Sequence, residues 1–122
     1  MSALLIRVVI GLLLVVHGFA HWNITTAWGT RPSADSWVLG AGASSLGGAL
    51  WVASLLGFIV AGLALFVLPA AWRPLAIAAS LVSLATIGLF WQPQMVLGAA
   101  VDVGVLVALL WLGWPSAHAV GA

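Results

Sequence analysis

Charged side chains are scarce in this chain. Its 122 residues include three basic and two acidic residues, which make up 4% of the sequence, against 65% hydrophobic residues. A water-soluble domain needs about a quarter of its residues charged to cover its surface. The composition, with a mean hydropathy of +1.29, therefore predicts an integral membrane protein.

Cysteine is absent, which excludes disulfides, cysteine-ligated metals and thiol chemistry. The basic residues are Arg7, Arg31 and Arg73, which are too few for a nucleic-acid-binding surface. The sequence has no glycine-rich phosphate loop, no zinc signature and no grouping of serine, histidine and acid typical of a hydrolase. We therefore expect no nucleic-acid partner, and the residues favour no catalytic activity of the chain's own.

Four apolar segments are long enough to cross a bilayer, which takes about 20 residues. We predict helices at about 4–22, 46–68, 75–91 and 96–114. The last two connections are short and contain proline, so successive helices should be antiparallel neighbours. Residues 23–43 are rich in Gly, Pro, Ser and Asp, which predicts an outer loop. The expected fold is one all-α transmembrane domain, an antiparallel up-down bundle of four helices.

The arginines predict the orientation of this bundle. Arg7 and Arg73 fall on one side of the predicted membrane, and Arg31 falls on the other, close to Asp35. The positive-inside rule then places both termini in the cytoplasm, in a multi-pass protein of the cell membrane, the inner membrane in a bacterium. Arg7 is expected to reach the inner headgroups. Arg31 and Asp35 are interpreted as a solvated pair, with an outer cap over the helices as the alternative.

Asp102 lies inside the fourth predicted helix, six residues after Val96. A carboxylate at membrane depth costs about 2.5–3.5 kcal/mol on insertion scales, so it is retained where a partner or a wet cavity receives it. Asp102 lies about 9 Å below the outer start of its helix, and His17 lies about 7.5 Å below the outer end of the first helix. We therefore predict that His17 and Asp102 meet near the outer face, with Thr86 of the third helix completing the lining.

Three interpretations of this pair stay open. It can be a polar clasp that fixes helix register, or a site that passes protons or bonds a carbonyl ligand. Asp102 can also pair with a group of another chain. His21, four residues from His17, is a further site candidate whose position beside Trp22 also fits a hydrogen bond at the membrane interface. No third ligand accompanies the two histidines, so no metal or haem site is predicted.

Small residues predict where helices approach each other, because close approach drives helix association in lipid. The first helix carries a stripe that should face protein, formed by Arg7, Gly11, Leu14, Gly18 and His21. The fourth helix carries another, formed by Ala100, Gly104 and Ala108. Because this second stripe points away from Asp102, we expect protein on two sides of the fourth helix, through a central position or a homo-oligomer.

Residues 7–21, RVVIGLLLVVHGFAH, resemble the opening helix of DoxX-type membrane proteins, in which an Arg, a Gly four residues later and a His-Gly pair are typical. The matching positions are Arg7, Gly11, His17 and Gly18. Members of that family have four helices in a chain of similar length and are associated with membrane redox systems, including quinone-linked sulfur oxidation. The resemblance implies an accessory subunit of a membrane redox assembly, with no cofactor within the chain and with a quinone or lipid at a subunit interface.

Two other functions stay open. One is a small proton or solute carrier or channel in which Asp102 takes the proton or cation, working as a homo-oligomer without other subunits. The other is a purely structural packing subunit, in which Asp102 only holds helices together.

Overall fold

The computed structural model describes residues 2–25, 36–40 and 44–122. The helices in this part of the chain are α1 (Ala3–Thr25), α2 (Ser44–Val67), α3 (Trp72–Leu89) and α4 (Val96–Leu106). A π-helical turn, Val107–Trp111, continues α4, and single 3-10 turns cover Pro93–Met95 and His118–Val120. The described residues form no strand, which confirms the predicted all-α class.

Helices α1 and α2 pack in opposite directions through glycine. A Cβ atom on Gly18 would lie 2.9 Å from the carbonyl oxygen of Leu55, and one on Gly11 would lie 3.3 Å from that of Gly62. Residues without a side chain are needed where two helix backbones come this close. The structure thus places Gly11 and Gly18 in the contact between α1 and α2.

Helix α3 lies between α2 and α4. A Cβ atom on Gly57 of α2 would meet Ala79 of α3 at 3.0 Å, and one on Gly98 of α4 would meet Ile87 of α3 at 3.7 Å. The core between the helices is apolar and includes Phe58, Leu65, Trp72, Ala76 and Leu109.

In the part of the chain that the structure describes, three helices are long and apolar enough to cross a membrane, over Ala3–His21, Ser45–Val67 and Trp72–Leu89. The fourth was predicted as one helix to residue 114, but its α-helical part ends at Leu106. From Val96 to Trp111 the helical segment spans roughly 24 Å, which is shorter than a hydrocarbon core of about 30 Å. Gly113 ends it in the left-handed conformation, with a φ of 62°, as glycine commonly does at a helix C-terminus.

The small-residue stripe of α4 lies on the outside. Ala100 and Gly104 are exposed, and a Cβ atom on Gly104 would meet nothing within 4 Å. Asp102, on the opposite face, is fully buried. That another chain packs against this stripe stays a prediction.

Both described arginines bind backbone carbonyls. Arg7 donates to the carbonyl oxygens of Val120 and, at 2.9 Å, of Gly121. Arg73 donates to the carbonyl oxygen of Leu109, in the π-helical turn. Arg7 therefore binds the C-terminal segment, because its planar guanidinium can satisfy two carbonyls that have no helical partner. Its contact with the inner headgroups stays a prediction.

Residues 36–40 form a turn that docks on the end of α3. Ser36 Oγ donates to the carbonyl oxygen of Leu89, and Trp37 Nε1 donates to that of Gly88, both at 2.6 Å. These bonds satisfy carbonyls that the end of a helix leaves free. The predicted pair of Arg31 and Asp35 lies outside the described residues.

Candidate functional site

The structure brings His17 and Asp102 together across α1 and α4. His17 Nε2–H donates to Asp102 Oδ1 at 2.8 Å. The Asp102 side chain is 0% exposed and that of His17 is 10% exposed. The second carboxylate oxygen, Oδ2, is buried without a hydrogen-bond partner among the described residues. The pair therefore lies inside the protein, and the carboxylate is bonded through one oxygen.

His21 links α1 to α3. Its Nδ1 lies 3.0 Å from the carbonyl oxygen of His17, and its Nε2 lies 2.8 Å from Ser83 Oγ. Since a carbonyl oxygen only accepts, Nδ1 carries the hydrogen and Nε2 accepts from the Ser83 hydroxyl. His21 is buried, and these two bonds are made within the protein. Whether it also lies at the depth of the membrane interface stays a prediction.

Aromatic rings surround the two histidines. Phe58 of α2 lies edge-on to His17 with 4.6 Å between ring centroids, and it stacks on His21 at 5.7 Å. Trp51 lies about two helical turns before Phe58 on α2, and its ring centroid is 5.4 Å from that of His21. Packing of this kind fixes the orientation of the imidazole rings. The buried Trp51 Nε1 has no hydrogen-bond partner in the part of the chain that the structure describes.

Thr86 does not join the pair through a hydrogen bond. Its hydroxyl donates to the carbonyl oxygen of Val82 at 2.7 Å, one turn back on its own helix. Ser83 makes the bond across the helices instead. The signal was present in the sequence, because Ser80, Ser83 and Thr86 share one face of the third helix, but the spacing does not say which hydroxyl bonds to its own helix.

A cavity of about 550 Å³ lies between α1 and α4, beside the pair. Its walls are apolar apart from three polar side chains. The lining includes His17, His21, Trp51, Gly98, Leu13 and Leu97. Leu13 and Leu97 are also exposed on the outer faces of their helices, so the cavity opens sideways, toward the surface that would meet lipid.

The cavity resembles a small-molecule site in its size and lining. Among the described residues, no group of three His, Asp, Glu or Cys side chains is arranged to hold a metal ion. A small-molecule site is typically an apolar cleft of about 300–1,000 Å³ with a few placed polar groups. The cavity has that size and character.

Comparisons of the chain with protein-family models, curated proteins and solved structures gave no match. The similarity to DoxX-type proteins therefore stays a prediction from residues 7–21.

Proposed function

We propose that this chain is a multi-pass membrane protein that acts as an accessory subunit of a redox assembly and binds a quinone-class lipid between α1 and α4. The observation that carries the proposal is the apolar cavity bordered by His17, which is paired with the buried carboxylate of Asp102. The DoxX-type motif in residues 7–21 points to the same functional class.

The membrane arrangement that we propose is an up-down bundle with both termini in the cytoplasm of a bacterial cell. It is supported by the positions of Arg7 and Arg73, which both bind carbonyl oxygens at the end of the bundle where the C-terminal segment lies. Positive charge at one end agrees with the positive-inside rule. The site lies toward the other end, about 9 Å from the start of α4, which is the depth of the hydrocarbon region near the outer face.

The residues present fit a quinone ring. A flat apolar ring with a lipid tail matches a cavity that has apolar walls and opens sideways, since the tail can remain among the acyl chains. Histidine and tryptophan at the wall can hydrogen-bond the ring oxygens. When bound, such a lipid would supply the redox chemistry, and the chain's own residues would orient the ring and exclude water.

A cavity-filling variant tests this proposal. Gly98 borders the cavity, and Gly98→Leu would place a side chain there. Gly104→Leu is the matched control, because it makes the same change on the same helix at a position with open space around it. In the purified protein in lipid nanodiscs, we expect Gly98→Leu to weaken binding of an alkylated para-benzoquinone about tenfold or more and Gly104→Leu to leave it unchanged. Equal binding by the two variants would contradict the proposal.

The accessory role has its own test. Purification of the tagged chain from its native membranes should recover larger redox subunits in fixed proportion. Recovery of the chain alone, or of its homo-oligomer, would contradict the accessory role and favour a carrier. A carrier would also make proteoliposomes leak protons or solute, with the leak abolished in Asp102→Asn.

The second candidate is a packing subunit, which the polar bonds between helices favour. His17 joins α1 to α4, and His21 joins α1 to α3 through Ser83. Such bonds stabilise helix packing where no water competes for them. A packing subunit predicts that Asp102→Asn lowers the thermal stability and leaves every ligand affinity unchanged, whereas the proposed function predicts an altered affinity.

A further inference from the structure

We propose that the cavity recognises a ring carbonyl oxygen, with the buried Trp51 Nε1–H as the donor, and therefore takes the oxidised quinone in preference to its dihydroxy form. The inference rests on the function proposed above, because it concerns the same cavity. It adds a residue, Trp51, and the chemical state of the ligand.

The polar atoms at the cavity wall decide the kind of ligand. Three polar side chains border the cavity: His17, His21 and Trp51. Both ring nitrogens of His21 are already bonded, one to a carbonyl oxygen and one to Ser83. His17 uses its Nε2–H for Asp102, whereas the indole nitrogen of Trp51 is buried with a hydrogen for a ligand.

Trp51 can only donate. Its side chain is buried, and its Nε1 has no hydrogen-bond partner within the described residues. An indole nitrogen has a hydrogen and no free acceptor orbital in the ring plane. A buried donor without a partner is unfavourable, so an oxygen that accepts from it would improve the free energy of the complex.

A buried indole donor at an apolar wall favours a ligand whose oxygen accepts. A quinone has two carbonyl oxygens and no hydrogen to donate. The dihydroxy form brings two O–H groups, each of which needs an acceptor when it leaves water. Asp102 is not part of the cavity wall, so its free oxygen does not supply one.

The test uses three probes with the same alkyl tail: an alkylated para-benzoquinone, its dihydroxy form kept reduced, and an alkylbenzene. We expect the native protein in nanodiscs to bind the quinone about tenfold more tightly than the alkylbenzene, as one good hydrogen bond implies, and more tightly than the dihydroxy form. Trp51→Phe should remove most of that tenfold gain and leave alkylbenzene binding unchanged. Trp37→Phe, which removes an indole donor in an exposed turn, is the matched control and should change none of the three.

Equal affinity of the native protein for the three probes would overturn this inference and leave the cavity as a ligand site. A Trp51→Phe change that weakens all three alike would also overturn it, since that result indicates packing. Absence of binding by every probe would overturn the proposed function as well.

Discussion

Gly62 of α2 lies so close to α1 that a methyl group at its position would meet the carbonyl oxygen of Gly11 and Val15 Cγ2, each at 2.8 Å. Lipid chains solvate apolar side chains as well as another helix does, so close approach of backbones is what makes such an interface favourable. His17 belongs to the helix that this contact holds in place.

Gly62→Ala should therefore weaken the packing of α1 on α2. We expect the free energy of unfolding to fall by about 1–3 kcal/mol, the range seen when a well-packed site receives extra atoms. Gly48→Ala is the control on the same helix, because its added methyl group would meet nothing within 4 Å. That control should be neutral or stabilising, since alanine favours the helix. Thermal unfolding in detergent, followed by circular dichroism, measures both, and equal effects would argue against the tight contact.

Much of α1 could be predicted from its residues. A single stripe of small and polar positions marks the face that packs, and Gly11, Leu14, Gly18 and His21 are buried in the structure. Counting residues from helix ends gave His17 and Asp102 a common depth, and the structure places them within one hydrogen bond. Both inferences use the fixed rise and rotation of an α-helix, which local sequence determines.

Features that depend on how helices pack could not be predicted in the same way. The π-helical turn after Leu106 shortens the regular part of α4, and no residue in that apolar run marks it. The hydroxyl that reaches His21 belongs to Ser83 rather than Thr86, and this depends on how α3 packs against α1. The cavity also depends on the distance between α1 and α4, which the sequence pattern does not indicate.

The pair of His17 and Asp102 should show strong energetic coupling. In His17→Phe the carboxylate stays buried without its partner, and we expect a loss of about 3–5 kcal/mol in unfolding free energy. Adding Asp102→Leu to the same protein removes the stranded charge, so the double variant should be more stable than His17→Phe alone. A double-mutant cycle on thermal or denaturant unfolding gives the coupling. Additive effects of the two substitutions would mean that the side chains do not interact.

Ser83 and Thr86 make a matched comparison on one helix. Ser83→Ala removes the donor to the buried His21 Nε2 and should cost about 1–3 kcal/mol, because that acceptor is left unpaired. Thr86→Val keeps the shape and loses a bond to Val82, whose carbonyl oxygen also has a helical partner available, so a smaller loss is expected. Unfolding measurements on the two variants decide the order, and a larger loss for Thr86→Val would contradict the bond between His21 and Ser83.

The proposed orientation can be tested by labelling, because the chain has no native cysteine to remove. Trp37 is exposed and belongs to the turn that docks on the end of α3. His118 is exposed and belongs to the C-terminal segment that Arg7 binds. We expect Trp37→Cys to react with a membrane-impermeant maleimide added outside intact cells. His118→Cys should react only after the membrane is permeabilised, since the positive-inside rule places that end in the cytoplasm. The reverse pattern would invert the orientation and move the paired histidine and carboxylate to the cytoplasmic half of the bilayer. Labelling of both positions from outside would show that the two segments do not lie on opposite sides of the membrane.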